Sequence, residues 1–267
     1  KLLKMVVLSR HGVRSPTQSS ETLESWSRKD WPEWPVKRGG LTPRGAKLVT
    51  AMWEQEAALL REAGLLPSKG CPEAGTIAVR ADRDQRTRAT GEAVLEGLAP
   101  GCGFKPIVNE KAQPDPLFHP LEAGYCALDP AVVRDEIPVG TIEGLEQSLS
   151  APIGELAAIL GPASPEFCRR HQLPEGCTAM DVPTRLTLAK DNRTVHLDGK
   201  LGAASSAAEI MLLEYGQWDH PAGWGAVDKA ALQRLLPVHS KVFDAVNRAP
   251  SVAAGRGSEL LLEIGRA

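Results

Sequence analysis

Met5-Val6-Val7-Leu8-Ser9-Arg10-His11-Gly12-Val13-Arg14-Ser15-Pro16-Thr17 divides into an apolar run and a polar, basic tail. A short β-branched run without alternation reads as a strand buried on both faces, so Met5–Leu8 is expected to lie inside a sheet. The polar residues then emerge at its carboxyl end, where open α/β sheets place their ligand sites. There an imidazole sits between two guanidiniums, with Gly12 allowing close backbone approach and Pro16 ending regular structure. Arg10 and Arg14 each offer a planar fork of donors that never deprotonates, which suits an anionic group with several oxygens, such as a phosphoryl.

The rest of the chain bounds this reading. With 267 residues it can bury a large core in one or two domains. Its 31 basic and 33 acidic residues leave a net charge of −2, which argues against a nucleic-acid or polybasic membrane protein and makes any basic site a local one. No apolar run approaches the roughly 20 residues needed to span a bilayer. The five cysteines, Cys71, Cys102, Cys126, Cys168 and Cys177, include no CxxC pair and no neighbouring histidine at metal-ligand spacing, so they are not expected to form a zinc site. No cofactor is expected. Cys168 and Cys177 bracket a short polar loop, and Cys71 and Cys102 each sit just outside a helix. Both pairs read as loop-closing disulfides of an oxidising compartment, periplasmic or secreted, although spacing alone leaves the pairing open. Cys126 is then left over.

Downstream of the opening loop, the Trp- and Pro-rich residues 26–40 read as an ordered surface loop. Thr42 and Pro43 supply an N-cap and first helical residue, and Ala46, Val49, Trp53, Ala57 and Leu60 recur at helical spacing until Gly64. Residues 75–81 read as a second strand, 84–98 as the helix after it, and 104–108 as a weaker third strand. Between the second strand and its helix lies Asp82-Arg83-Asp84-Gln85-Arg86-Thr87-Arg88. Arginines in the first turn oppose the helix dipole unless an anionic ligand is held there by helix and guanidinium together. From about Pro114 to Leu236 clear buried strands give way to helical patterns at 142–160 and 201–217, read as an insertion. Helices over 232–247 and 258–264 lead back to the α/β body. The expected domains are thus residues 1–118 plus 237–267 for the body and 119–236 for the inserted helical domain.

The pattern Arg10-His11-Gly12-x-Arg14-x-Pro16 after an apolar run resembles the signature of the histidine acid phosphatases. The likeness extends over nearly the whole chain, in order, through Trp31-Pro32-Glu33-Trp34-Pro35-Val36-Lys37, Leu41-Thr42-Pro43-Arg44-Gly45, residues 82–93, Pro114-Asp115-Pro116-Leu117-Phe118 and Pro221-Ala222-Gly223-Trp224-Gly225. It is strongest to the bacterial periplasmic phytases. The resemblance implies an α/β fold whose mostly parallel sheet is flanked by helices, a phosphoglycerate-mutase-like body with an inserted mostly helical domain. It also implies an acid phosphomonoesterase acting on esters such as inositol hexakisphosphate, with a broad acid phosphatase or a glucose-1-phosphate phosphatase as alternatives.

By the same resemblance His11 is the nucleophile, Arg10, Arg14 and Arg86 bind phosphoryl oxygens, and Thr17, Asp82, Glu209, His239 and Arg256 are substrate-site residues. A neutral imidazole attacking phosphorus splits one displacement into two through a phosphohistidine. Three arginines stabilise the charge spread over the equatorial oxygens without a metal, and they are expected to depress the His11 pKa. Protonation of the leaving oxygen falls in this family to the aspartate of a His-Asp pair, and no His-Asp dipeptide occurs in the chain. Asp219-His220 is reversed. The family counterpart of Cys126 pairs with a cysteine near the C-terminus. Both points lead to the expectation that the C-terminal part of the body lies outside these residues, as a removed or disordered segment or as a separate chain of the same protein. The rival from another class is a phosphate-ester binding protein that kept the arginines without the acid.

Overall fold

The computed structural model describes residues 2–112 and 114–266; Lys1, Gln113 and Ala267 of the expected domain ranges lie outside the described residues. In chain order the first elements are α1 (Ser20–Trp26), α2 (Pro43–Glu62), β1 (Arg80–Ala81), α3 (Gln85–Leu98) and β2 (Ile107–Val108). They are followed by α4 (Pro130–Glu136), α5 (Val139–Ser148), α6 (Ser150–Leu160), α7 (Pro165–Arg170), β3 (Arg185–Leu188), β4 (Val195–Asp198), α8 (Lys200–Gln217), α9 (Lys229–Asn247) and α10 (Pro250–Arg266). The chain divides into two compact units: residues 1–15, 34–118 and 260–267 form one, and residues 16–33 and 119–259 the other.

In the first unit α2 and α3 pack side by side. The sequence places Val49, Trp53 and Ala57 on one stripe of α2 and Ala93, Val94 and Leu98 on one stripe of α3, and these residues with Leu66 form the core. The Thr42 hydroxyl accepts the Gly45 N–H at 2.9 Å, so the Thr-Pro start caps α2 as its sequence predicts. Strand β1 pairs in parallel with β2, Arg80 opposite Ile107 and Ala81 opposite Val108. The last turns of α10 meet this edge through Arg80 and Glu263, 3.1 Å apart. A disulfide joins Cys71 and Cys102.

Two expectations are corrected here. Met5, Val6, Val7 and Leu8 form no strand and are 43, 48, 50 and 68 % exposed. Burial of such a run depends on strands paired to both its edges, and among the described residues none pairs with it. For the same reason the mostly parallel sheet is reduced to the two-residue β1–β2 ladder.

The second unit is helical. Helix α8 presents Leu201, Ala204, Ala207, Ala208 and Met211, α9 presents Leu232, Leu235, Val238, Val242 and Val246, and α6 adds Ile153, Leu156 and Leu160 to one apolar core. Alanines on α8 let the helices approach closely, and the stripe on α9 explains why residues 237–259, expected with the α/β body, lie in this unit. The single helix expected over 142–160 is two, α5 and α6, divided at Leu149. The region is not free of strands: β3 and β4 form an antiparallel hairpin, Arg185 opposite Asp198 and Leu188 opposite Val195. Residues 20–26, partly read as loop, form α1, which Ser19 caps through Thr22 N–H. Cys168 and Cys177 are bonded, and Cys126 is an exposed free thiol. Among the described residues no helix is long and apolar enough to cross a membrane.

Candidate active site

The basic loop is held by contacts to residues 37–42. Arg14 forms an isolated antiparallel bridge with Leu41, Ser15 N–H donates to Gly40 O at 2.9 Å, and the Ser15 hydroxyl donates to Lys37 O at 2.8 Å. The Val13 carbonyl accepts from Thr42 N–H at 2.9 Å and from the Thr42 hydroxyl at 3.2 Å. Glycine is required on both sides of this contact. A Cβ on Gly45 would stand 2.2 Å from Val13 O, and one on Gly12 would stand 2.9 Å from Gly45 O. Gly12 thus serves the approach of loop to helix.

Helix α3 supplies the other wall. Gln85 Oε1 accepts Leu41 N–H at 2.8 Å, which ties the start of α3 to the strand partner of the loop. Thr90 connects the loop itself: its hydroxyl accepts Gly12 N–H at 3.2 Å and donates to Arg86 O, one turn back, at 2.7 Å. Thr90 and Gln85 were not singled out by sequence reasoning. Their contacts span 78 and 44 residues, and the only local signal was a buried-face threonine in the turn that carries Arg86.

These constraints bring Arg10, His11, Arg14 and Arg86 together. His11 is half-buried, and its Nδ1 lies 2.8 Å from Gly12 O. A carbonyl can only accept, so this contact places the ring proton on Nδ1 and leaves the Nε2 lone pair available. The imidazole is pushed below its ordinary pKa, first by burial and then by the charges of Arg14, Arg10 and Arg86, with the Gly12 hydrogen bond opposing. The three arginines thus lower the His11 pKa as the sequence predicts, and burial, which the sequence does not show, is the largest single cause. Arg14 is buried, with Nη1 donating to Ser15 O at 2.9 Å, and Arg10 is exposed.

The four charged residues of the 83–88 segment are sorted by their partners. Arg83 donates to Ala112 O at 3.0 Å, and Arg88 donates to Glu110 at 2.7 Å and to Arg83 O at 3.0 Å. Those two arginines hold the Glu110 carboxyl below the usual carboxylate range, Arg88 foremost. Arg86 pairs instead with Asp84, two residues away. Asp82, at the end of β1, is buried, and its carbonyl accepts the Thr87 hydroxyl at 2.7 Å. The expected residues Thr17, Glu209, His239 and Arg256 all lie in the helical unit. Thr17 is exposed and Glu209 buried. His239 Nδ1 is 3.1 Å from Ser205 Oγ and 3.2 Å from Ser205 O, a contact between α9 and α8. Arg256 donates to Asn247 and is pushed below its ordinary pKa by burial, with Glu122 opposing.

A cavity of 530 Å³ in the helical unit contains none of the expected residues; its Glu146 already accepts from Thr184 and, at 2.9 Å, from Lys200. Among the described residues no group of three or more His, Cys, Asp or Glu side chains could hold a metal ion. The first unit thus places a half-buried imidazole, its pKa lowered, within the field of three guanidiniums. That combination suits attack on an anionic electrophile with several oxygens.

Comparison with known proteins gives the family. The family described as "Histidine phosphatase superfamily (branch 2)" matches residues 1–136. Phytase AppA of Escherichia coli is 38% identical over 268 residues, covering 98% of this chain and 62% of that protein. Glucose-1-phosphatase of Salmonella typhimurium is 25% identical over 272 residues, covering 98% and 63%. Among solved structures, Hafnia alvei phytase in complex with tartrate superposes with a TM-score of 0.84 at 37% identity, over 96% of this chain and 64% of that one. The chain therefore spans somewhat less than two thirds of the length of these relatives.

Proposed function

The chain belongs to the histidine phosphatase superfamily, branch 2, and on that footing we propose that it is the nucleophile-bearing part of a phytase-like acid phosphomonoesterase. The observation that carries the reading is the half-buried His11, kept neutral below its ordinary pKa and bonded through Nδ1, within the field of Arg10, Arg14 and Arg86. In this reading the Nε2 lone pair forms a bond to phosphorus while the bond from phosphorus to the ester oxygen breaks. The departing oxygen keeps that electron pair and takes up a proton. Water then attacks the phosphohistidine, releasing inorganic phosphate and restoring the imidazole. The transition states are loose, so the three guanidiniums act chiefly by matching the charge on the equatorial oxygens.

The leaving oxygen's proton donor belongs, in this reading, to a His-Asp pair on further polypeptide of the same protein, whether continuous with these residues or a separate chain. The roles of Asp82 in orienting the arginines, and of Thr17, Glu209, His239 and Arg256 in holding the remainder of the substrate, are part of the same proposal. Phytase-like selectivity is supported by the similarity to phytases at 37 to 38% identity. A sugar-phosphate specificity is the second reading, supported by the similarity to glucose-1-phosphatases at 25 to 26%. The two disulfides support a periplasmic or secreted location.

The test is a rate comparison at acid pH on an activated aryl phosphate, inositol hexakisphosphate and glucose 1-phosphate. The reading expects turnover of the aryl ester, whose leaving group needs little protonation, and its abolition in His11→Ala. A protein that binds phosphate esters without turning over the aryl ester contradicts it.

A further inference from the structure

Asp84 occupies the N-cap position of α3, a place where aspartate ordinarily accepts from the first free N–H groups of the helix. Its carboxylate makes no such bond. It pairs instead with Nη2 of Arg86, and the backbone turn is closed by the Asp84 carbonyl, which accepts Thr87 N–H and Arg88 N–H at 3.0 Å each. The neighbouring arginines of the segment are engaged elsewhere, on Glu110, Ala112 O and Arg83 O. Arg86 is thus the guanidinium of this turn whose counterion is a carboxylate on the same turn. Both partners reach solvent: the Arg86 side chain is 27% exposed and that of Asp84 47%.

From this we infer that Asp84 is a positioning residue, a displaceable counterion that holds Arg86 in the empty site and competes with phosphate for it. The inference rests on the phosphatase reading, in which Arg86 binds phosphoryl oxygens. An incoming dianion and the Asp84 carboxylate cannot both approach Nη2 without repulsion, so phosphate displaces the carboxylate. As the N-cap residue, Asp84 has the N-terminus of α3 as an alternative partner for the released carboxylate. The exchange weakens binding of the anionic product at a site where three guanidiniums converge, and so favours its release. It acts through Arg86 alone, which separates it from the general effect of removing one negative charge near the site.

The experiment titrates the folded protein with inorganic phosphate by calorimetry at fixed ionic strength, comparing wild type, Asp84→Asn, Asp84→Glu, Arg86→Gln and the Asp84→Asn/Arg86→Gln pair. Asparagine caps a helix as well as aspartate does, and glutamate can rebuild the ion pair. Asp84→Asn is expected to tighten phosphate binding about three- to fivefold, the range of a half-exposed ion pair. Asp84→Glu is expected to return to the wild-type value, and the asparagine change to have no effect once Arg86 is glutamine. Unchanged or weaker binding in Asp84→Asn overturns the inference, and so does a tightening that persists in the Arg86→Gln background. If wild type binds no phosphate and Arg86→Gln changes nothing, the phosphatase reading itself fails.

Discussion

Thr90 is the point at which the loop bearing His11 meets the helix bearing Arg86: Gly12 N–H donates to its hydroxyl at 3.2 Å, and that hydroxyl donates to Arg86 O at 2.7 Å. One buried side chain therefore sets the register between the His11 loop and the helix turn that carries Arg86.

Replacing Thr90 by valine keeps the shape and deletes both hydrogen bonds. The Gly12 N–H then loses its partner, at a cost of about 1–3 kcal/mol. Thermal unfolding is expected to report that loss. Turnover of an aryl phosphate is expected to fall through kcat, while Thr90→Ser retains most of both.

Gly45→Ala is expected to be as harmful as a change at the loop itself, because the added Cβ would stand 2.2 Å from Val13 O. Relief requires moving either the α2 N-terminus or the loop, at about 1–3 kcal/mol by analogy with overpacked cores. The check is a melting curve alongside activity. Gly257→Ala, where a Cβ meets nothing within 4 Å, serves as the control.

The His11 imidazole is held below its ordinary pKa, so the reactive neutral form persists as the solution is acidified past the unperturbed value of about 6.5. The acid limb of kcat/KM is accordingly expected below that pH. In the NMR titration of the free protein, His11 is expected to titrate below about 6.5, and Arg10→Ala to move that titration upward by removing one of the charges opposing imidazolium.

Glu214, buried on α8, accepts Gly223 N–H at 2.8 Å, and burial raises its pKa against that bond and the charge of His220. A carboxyl whose native pKa exceeds its unfolded value contributes stability that is fully present in acid and is lost as the pH rises through the native pKa. Glu214→Gln, which can still accept from Gly223, is expected to match wild type near pH ~4 and to be the more stable protein at neutral pH. A melting-temperature difference that is flat with pH would remove Glu214 from the account.

The elements around the candidate site were legible in the sequence where their signals are local. Thr42-Pro43 fixes where α2 starts through a cap that spans four residues, and arginines in the first turn of α3 stand out because they oppose the helix dipole. Thr90 and Gln85 could not be read this way, since both act on backbone groups far away in sequence. Met5–Leu8 was misread because an apolar run encodes a preference for burial without naming the strands that would provide it. The β3–β4 hairpin was readable: Arg185-Leu186-Thr187-Leu188 and Val195-His196-Leu197-Asp198 alternate, and between them Asn192 adopts a positive φ of 56°. The helical character of the surrounding segment masked it.

In the proposed reaction His11 carries the phosphoryl group. The most direct measurement of this is rapid quenching of the protein during turnover of an aryl phosphate, followed by peptide mass analysis under alkaline conditions that preserve phosphohistidine. The account predicts a phosphoryl group on the peptide containing His11, absent in His11→Ala together with turnover. Turnover that survives in His11→Ala, with no phosphorylated peptide in wild type, would contradict it.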